Sequence, residues 1–177
     1  MSLKSSETRY GTVAVAIHWL SALLVLGLLI SGFRAAGLDE AEAKAGILRI
    51  HAVVGTTVLV LTLARIAWWL FADRRPADPA GMPRLQGRAA HAVHLLFYVA
   101  LVGMAASGIG MLVLSGAAGI LFAGAPGPLP DFLEYPPRIV HGLGAFFLLA
   151  LVAAHLAAAF YHQLVMRDRL LARMGIG

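Results

Sequence analysis

The chain has 177 residues, of which 60% are hydrophobic and only 13% are charged, and its mean hydropathy is +0.82. Soluble domains are about a quarter charged, so this composition excludes an ordinary soluble globular protein. The length fits one domain, and the apolar excess predicts that residues 1–177 form a single unit embedded in membrane lipid. The formal charge of +5 includes no basic run interleaved with aromatic residues, which argues against nucleic-acid binding.

The chain contains no cysteine. This excludes disulfides, thiolate metal sites, cysteine-ligated iron–sulfur clusters and covalently attached c-type haem. Any metal or cofactor must therefore be held by other side chains.

Four apolar stretches are long enough to cross a bilayer, and they are residues 12–33, 47–71, 89–114 and 139–166. Each reaches the ~20 residues needed to span a hydrocarbon core about 30 Å thick, so each is predicted to be a transmembrane helix. The connection between the third and fourth spans contains Ile120, Leu121 and Phe122, which we expect to return to the membrane interface. The predicted fold class is all-α, an integral membrane four-helix bundle.

Basic residues are unevenly distributed between the two sides of this bundle. The N-terminal segment, the second loop and the C-terminal tail carry nine: Lys4, Arg9, Arg74, Arg75, Arg84, Arg88, Arg167, Arg169 and Arg173. The first and third connections carry four: Arg34, Lys44, Arg49 and Arg138. Because an excess of Lys and Arg marks the cytoplasmic side, both termini are predicted to be cytoplasmic.

All seven histidines lie inside a predicted span or at its edge. They are His18, His51, His91, His94, His141, His155 and His162. Ionisable side chains within a bilayer are costly and rare, so a set this dense indicates a shared function.

The spacing of His141 and His155 on the fourth span indicates two separate sites. Fourteen residues fall about 40° short of four full helical turns, so both rings leave nearly the same face, about 21 Å apart along the axis. One metal ion cannot bridge them. Each histidine therefore needs a partner from another helix at its own depth.

Depth within the bundle predicts those partners. His51 pairs with His141 near the outer face, and His18 pairs with His155 toward the inner face. Two imidazoles facing each other across a bundle suit the axial positions of a b-type haem, so we expect two haems. A tetrahedral zinc site needs three or four ligands, which the outer side lacks. On the inner side His91 and His94 keep zinc open as an alternative.

Three arginines lie close to these predicted sites. Arg49 and Arg138 precede the outer histidines by two and three residues, where they can pair with haem propionates, attract an anion or extend to the interface. Arg65 lies within the second span, and we expect it to reach the inner headgroups or an inner propionate.

The remaining histidines, His91, His94 and His162, lie toward the inner end of the bundle. Imidazole exchanges protons near neutral pH, as a quinone requires when it takes up two electrons and two protons. A quinone site is predicted at His94 and His162, with His91 as a further candidate; contact with lipid headgroups is the alternative.

Several segments together resemble the bacterial cytochrome b561 family of four-helix, di-haem b membrane proteins. They are AIHWL at His18, RIHAVVG and LARIAWWL on the second span, AAHAVHLLFY on the third, and VHGLGAFFLLALVAAHLAAAFYHQ on the fourth. The similarity covers nearly the whole chain. It is specific because these segments occur together and in this order.

The resemblance implies haem ligation by His18, His51, His141 and His155, electron exchange with ubiquinone, and residence in the bacterial inner membrane. Similarity to the superoxide oxidases of this family implies superoxide as the electron donor, with Arg49 and Arg138 placed to attract it. One alternative is a haem-b anchor subunit that links quinone to a protein redox partner. A second is a non-redox transporter that uses the histidines for protons or metal.

Overall fold

The computed structural model describes residues 2–79 and 81–176. These residues form five α-helices, namely α1 (Thr12–Ala36), α2 (Ala41–Ala67), α3 (Arg84–Leu114), α4 (Ala117–Phe122) and α5 (Pro137–Phe160). Two of them continue as π-helical turns, α2 through Trp68–Ala72 and α5 through Tyr161–Met166. The described residues contain no β-strand, which confirms the all-α prediction.

Four of the helices, counted with their π-helical turns, are long and apolar enough to cross a membrane. Three of them begin earlier than the apolar stretches indicate, α5 by only two residues. α2 begins at Ala41 because the Glu40 carboxylate accepts hydrogen bonds from the backbone N–H groups of Glu42 and Ala43, which satisfies the free donors of the first turn. α3 begins at Arg84, ahead of its apolar segment.

Long helices that follow each other in the sequence pack against each other: α1 against α2, α2 against α3, and α3 against α5. Val25, Leu29, Val58 and Leu148 form a buried cluster between them. On α5, Leu148 lies midway between His141 and His155, whereas α1 and α2 each contain one histidine. The bundle therefore has an apolar layer at mid-height that separates two histidine levels.

One end of the bundle carries both termini and the loop between α2 and α3, and we refer to it as the terminal end. Arg173 connects its segments: its carbonyl accepts from Tyr10 N (3.2 Å), and its Nη2 donates to the Ala77 carbonyl (2.6 Å). The Trp19 indole Nε1 donates to the Met174 carbonyl (3.0 Å). The opposite end contains α4, and we refer to it as the α4 end.

Asp73 joins the N-terminal segment to the end of α2. Its carboxylate accepts hydrogen bonds from the Ser5 backbone and hydroxyl, the Arg74 N–H and the Trp68 indole. Desolvation alone raises the pKa of a carboxyl, but these hydrogen bonds outweigh it and hold the pKa of Asp73 below its ordinary value. The ionised carboxylate therefore stabilises this junction at neutral pH.

Candidate haem-binding site

At the α4 end, His51 of α2 and His141 of α5 face each other. Their ring centroids are 6.1 Å apart and the ring planes are inclined by 66°. Both rings are half-buried. The structure therefore brings together the two histidines that depth predicted as the outer pair.

Each ring of this pair rests on a Ser-Gly dipeptide of a neighbouring helix. His51 Nδ1 lies 2.9 Å from Ser31 Oγ, and His141 Nδ1 lies 3.0 Å from Ser107 Oγ. The next residue is a glycine in both helices. A Cβ atom on Gly32 would lie 3.1 Å from His51 Cε1, and one on Gly108 would lie 3.3 Å from His141 Cε1. The glycines allow the close approach of the rings, and the serines fix their rotation.

These hydrogen bonds also determine which ring nitrogen carries the proton. The Ser31 hydroxyl donates to the Leu28 carbonyl (3.2 Å), and the Ser107 hydroxyl donates to the Met104 carbonyl (3.0 Å). Because each hydroxyl proton is engaged, the serine oxygen accepts from Nδ1–H. The lone pair of each imidazole is then on Nε2, as metal ligation by that atom requires.

Toward the terminal end, His18 of α1 and His155 of α5 form a second pair. Their centroids are 6.3 Å apart and their planes are inclined by 65°, nearly the same geometry as the first pair. His94 of α3 also approaches His155, at 5.7 Å. The second level therefore contains three imidazoles. The sequence predicted that two of them, His18 and His155, form a pair.

The ring separations fit axial ligation of one metal ion by two imidazoles. An imidazole nitrogen binds a transition metal at about 2.0–2.1 Å, so two opposed rings have centroids about 6.3–6.5 Å apart. The His51–His141 and His18–His155 pairs are close to this value, and the His94–His155 pair is shorter. Within the described part of the chain, no three His, Asp or Glu side chains are arranged to hold a metal ion, so the zinc alternative finds no ligand set there.

Arg65 lies beside the second pair, within the membrane-spanning part of α2. Its Nη1 is 3.3 Å from His18 Nδ1, and its Nε is buried without a hydrogen-bond partner among the described residues. Arginine can only donate, so His18 Nδ1 accepts in this arrangement. Ligation through His18 Nε2 requires the other tautomer, and the guanidinium must then take a new acceptor.

The other two candidate histidines lie apart from this cluster. The His91 side chain is 62% exposed, and its Nε2 is 3.3 Å from Asp78 Oδ1. His162 is buried in the π-helical turn that follows α5, with Nδ1 bonded to the Asp168 carboxylate and Nε2 2.8 Å from Gln86 Nε2. Seven residues separate it from His155, which places it about 10 Å closer to the terminal end.

Arg49 and Arg138 lie at the α4 end, close to the His51–His141 pair. Arg49 is exposed, and its Nε donates to the Leu121 carbonyl (2.7 Å), which joins α2 to α4. Arg138 is half-buried and folds along α5, so that a Cβ on Gly142 would lie 2.7 Å from its Nη1. Both arginines are therefore within three residues of an outer histidine, Arg49 bonded to α4 and Arg138 folded along α5.

Sequence reasoning missed the serines at residues 31 and 107, as well as Gln86 and Asp168. The repeated Ser-Gly dipeptide within the first and third spans is the signal for the serines, although a third copy at residues 115–116 only precedes α4. No local pattern marks Gln86 or Asp168. Their contacts with His162 join segments that are far apart in the sequence or lie across a turn.

Opposed imidazoles inside a bundle of membrane-spanning helices define a membrane haem protein of the electron-transfer class. The chain belongs to the prokaryotic cytochrome b561 family, whose model matches residues 9–177. It is therefore an oxidoreductase-type membrane protein that binds b-type haem.

Relatives of the same length support this assignment. The chain is 31% identical to cytochrome b562 of Cereibacter sphaeroides, over 96% of this chain and 97% of that protein. It is 28% identical to the probable superoxide oxidase CybB of Yersinia pestis, over 94% and 95%. It is 26% identical to cytochrome b561 homolog 2 of Escherichia coli, over 98% and 95%.

Proposed function

We propose that this protein is a superoxide oxidase of the bacterial inner membrane, with electrons passing from superoxide at the α4 end to ubiquinone at the terminal end. Two superoxide anions, one ubiquinone and two protons yield two O₂ and one ubiquinol. The observation that carries the proposal is the presence of opposed imidazole pairs at two depths of the bundle. The similarity to the probable superoxide oxidase of Yersinia pestis supports superoxide as the donor.

Two b haems are part of this proposal, one held by His51 and His141 and the other by His18 and His155. When bound, they supply the one-electron redox chemistry that superoxide and quinone both require. Residues of the chain supply the ligands, their tautomers and the spacing of about 21 Å between the levels. The basic terminal end faces the cytoplasm, in keeping with the distribution of Lys and Arg.

Replacing both supporting serines, Ser31→Ala with Ser107→Ala, is expected to weaken the outer haem. Each change removes the acceptor of an Nδ1–H, and such supporting contacts typically contribute about 10–100-fold in metal affinity. We expect at least about tenfold faster transfer of the outer haem to apomyoglobin, followed by absorption spectroscopy.

Thr57→Val is the matched control for the serine pair, because the Thr57 hydroxyl bonds the Val53 carbonyl of its own helix. It should retain haem as the unmodified protein does. Equal haem retention by the serine double variant and the control would show that the serines do not support the ligands.

The α4 end carries five acidic and four basic residues, so the proposed attraction of superoxide rests on the local charges of Arg49 and Arg138 beside the outer histidines. In residues 2–79 and 81–176, no Lys or Arg forms an ion pair with a carboxylate. Two acids of this face act as caps instead: Glu40 accepts from backbone N–H groups at the start of α2, and Asp131 accepts from Leu133 N. Arg49 and Arg138 therefore keep their charge available to an approaching anion.

Replacing these two arginines, Arg49→Gln with Arg138→Gln, is expected to slow haem reduction by superoxide about tenfold at low ionic strength. Charge complementarity raises association rates by about 10–10³-fold, and salt screens the effect. Stopped-flow measurement of the reduced-haem band at increasing salt concentrations would record the rate and its salt dependence.

Arg74→Gln, an exposed charge at the terminal end, is the control for this experiment. It should leave both the rate and its salt dependence unchanged. If the arginine double variant matches this control, superoxide is not guided by Arg49 and Arg138.

At the terminal end we propose that ubiquinone is reduced near His94 and His162, with Arg65 supplying positive charge. His94 contacts His155 of the inner pair, whereas His162 lies nearer the cytoplasmic water. His91, exposed and paired with Asp78, is the peripheral member. Proton exchange by the imidazoles matches the two protons that the quinone takes up.

The deciding experiment is to add superoxide to the purified protein with and without ubiquinone. Haem reduction followed by quinol formation is the expected result. No reaction unless a second subunit is present would favour the alternative, a haem-b anchor that links quinone to a protein redox partner. A preparation without a Soret band would eliminate both functions and favour a transporter.

A further inference from the structure

Three side chains form a connected polar chain at the terminal end, outside the two haem-ligand pairs. The His162 Nδ1 bonds the Asp168 carboxylate, and the His162 Nε2 lies 2.8 Å from Gln86 Nε2 of α3. Among the described residues, only this contact and the one between His91 and Asp78 bring a basic side chain within ion-pair distance of a carboxylate.

Along this series of hydrogen-bonded side chains, exposure to water rises from His162 to Asp168. The His162 side chain is only 10% exposed, whereas that of Asp168 is 27% exposed. The carboxylate therefore lies between the cytoplasmic water and a nearly enclosed imidazole. Its bond to Nδ1 leaves Nε2, the nitrogen beside Gln86, for proton exchange.

The backbone holds Asp168 in this position by an uncommon conformation. Arg167 and Arg169, on either side of it, both have positive φ angles of 54° and 59°, which non-glycine residues rarely adopt. This double turn reverses the chain after the π-helical segment. One carboxylate oxygen then reaches His162, while the other accepts from Leu170 N.

We propose that Asp168 is the positioning residue that makes His162 the proton donor to the quinone. The carboxylate accepts the Nδ1 proton, so that the proton given to the quinone is the one on Nε2, the nitrogen that faces Gln86 of α3. An Asp–His pair works in this way in general acid–base catalysis. The inference rests on the proposed quinone reduction and adds the group that gives the quinone its protons.

Gln86 is compatible with both protonation states of His162. Its amide can donate N–H to neutral Nε2, and after rotation its carbonyl oxygen can accept from protonated Nε2. During reduction, the imidazolium transfers its Nε2 proton to a quinone oxygen and becomes neutral, while Nδ1–H stays bonded to Asp168; after the quinol leaves, Nε2 takes a new proton from water. Two such cycles deliver the two protons, while the two electrons come from two superoxide anions.

The variant Asp168→Asn tests this role, because it keeps the size of the side chain and removes the charge. We expect both haems and their spectra to be retained, and haem reduction by superoxide to be unchanged. Reoxidation of the reduced haems by ubiquinone should be about 10–100-fold slower, with a lower kcat and an unchanged KM for quinone. His162→Asn should show the same loss, and the double variant no further loss.

Asp78→Asn is the matched control, because Asp78 also contacts a histidine at this end but that pair is exposed. It should reoxidise at the rate of the unmodified protein. Asp168→Ala adds a second measurement: formate, a small carboxylate, should restore its rate toward that of the unmodified protein, which a merely structural role of Asp168 would not allow.

The outcomes separate this inference from the function on which it rests. If the unmodified protein does not reduce ubiquinone, the proposed function fails. If it does, and Asp168→Asn reoxidises at the same rate, or if formate leaves Asp168→Ala unchanged, Asp168 has no part in proton delivery.

Discussion

His155→Ala is expected to remove the inner haem, halve the haem content and abolish quinone reduction. Its partner His18 cannot hold the iron alone. The His94 ring approaches His155 from α3, but we do not expect it to replace His155 as a ligand. The outer haem should remain, because the apolar layer around Val58 and Leu148 separates the two levels. The haem-to-protein ratio from a pyridine haemochrome assay and the low-temperature absorption spectrum would measure both effects.

His94→Ala provides the comparison within the same cluster. Because the His94–His155 separation of 5.7 Å is shorter than opposed axial ligands need, we expect this variant to keep both haems and to lose quinone turnover. Equal loss of both haems in His155→Ala would contradict the pairing by depth. Loss of the inner haem in His94→Ala together with its retention in His18→Ala would assign the second ligand to His94.

The helices could be predicted from the sequence because lipid imposes a simple length requirement on apolar segments. The ends of the helices are harder to predict, since they depend on individual capping contacts such as that of Glu40 at the start of α2. The segment with Ile120, Leu121 and Phe122 forms α4, and the Arg49–Leu121 hydrogen bond that attaches it to α2 has no local signal.

Depth within the bundle was also sufficient to predict the two pairs of histidines whose rings the structure brings together. It could not separate His91 from His94, although three residues on a helix rotate a side chain by about 60°. That rotation directs His91 toward Asp78 and His94 toward His155. The serines that orient His51 and His141 were not predicted either, because such contacts depend on how two helices are rotated against each other.

Arg65→Gln is expected to lower the midpoint potential of the inner haem by about 40–130 mV. A buried positive charge favours the reduced, more negative state of a nearby group by about 1–3 kcal/mol at the effective dielectric constant of a protein interior. For a one-electron couple this energy corresponds to the stated shift. A spectroelectrochemical redox titration that resolves the two haems would measure it, and the outer haem should keep its potential.

Arg65→Lys is the matched variant, because it keeps the charge but lacks the planar fork of donors. We expect its inner potential to remain close to that of the unmodified protein, whereas Arg34→Gln at the α4 end should leave the inner haem unaffected. An unchanged inner potential in Arg65→Gln would show that lipid headgroups neutralise this guanidinium. The Arg65 Nε, which has no hydrogen-bond partner among the described residues, and the 3.3 Å contact with His18 Nδ1 favour instead an anionic acceptor close to the inner pair, such as a haem propionate.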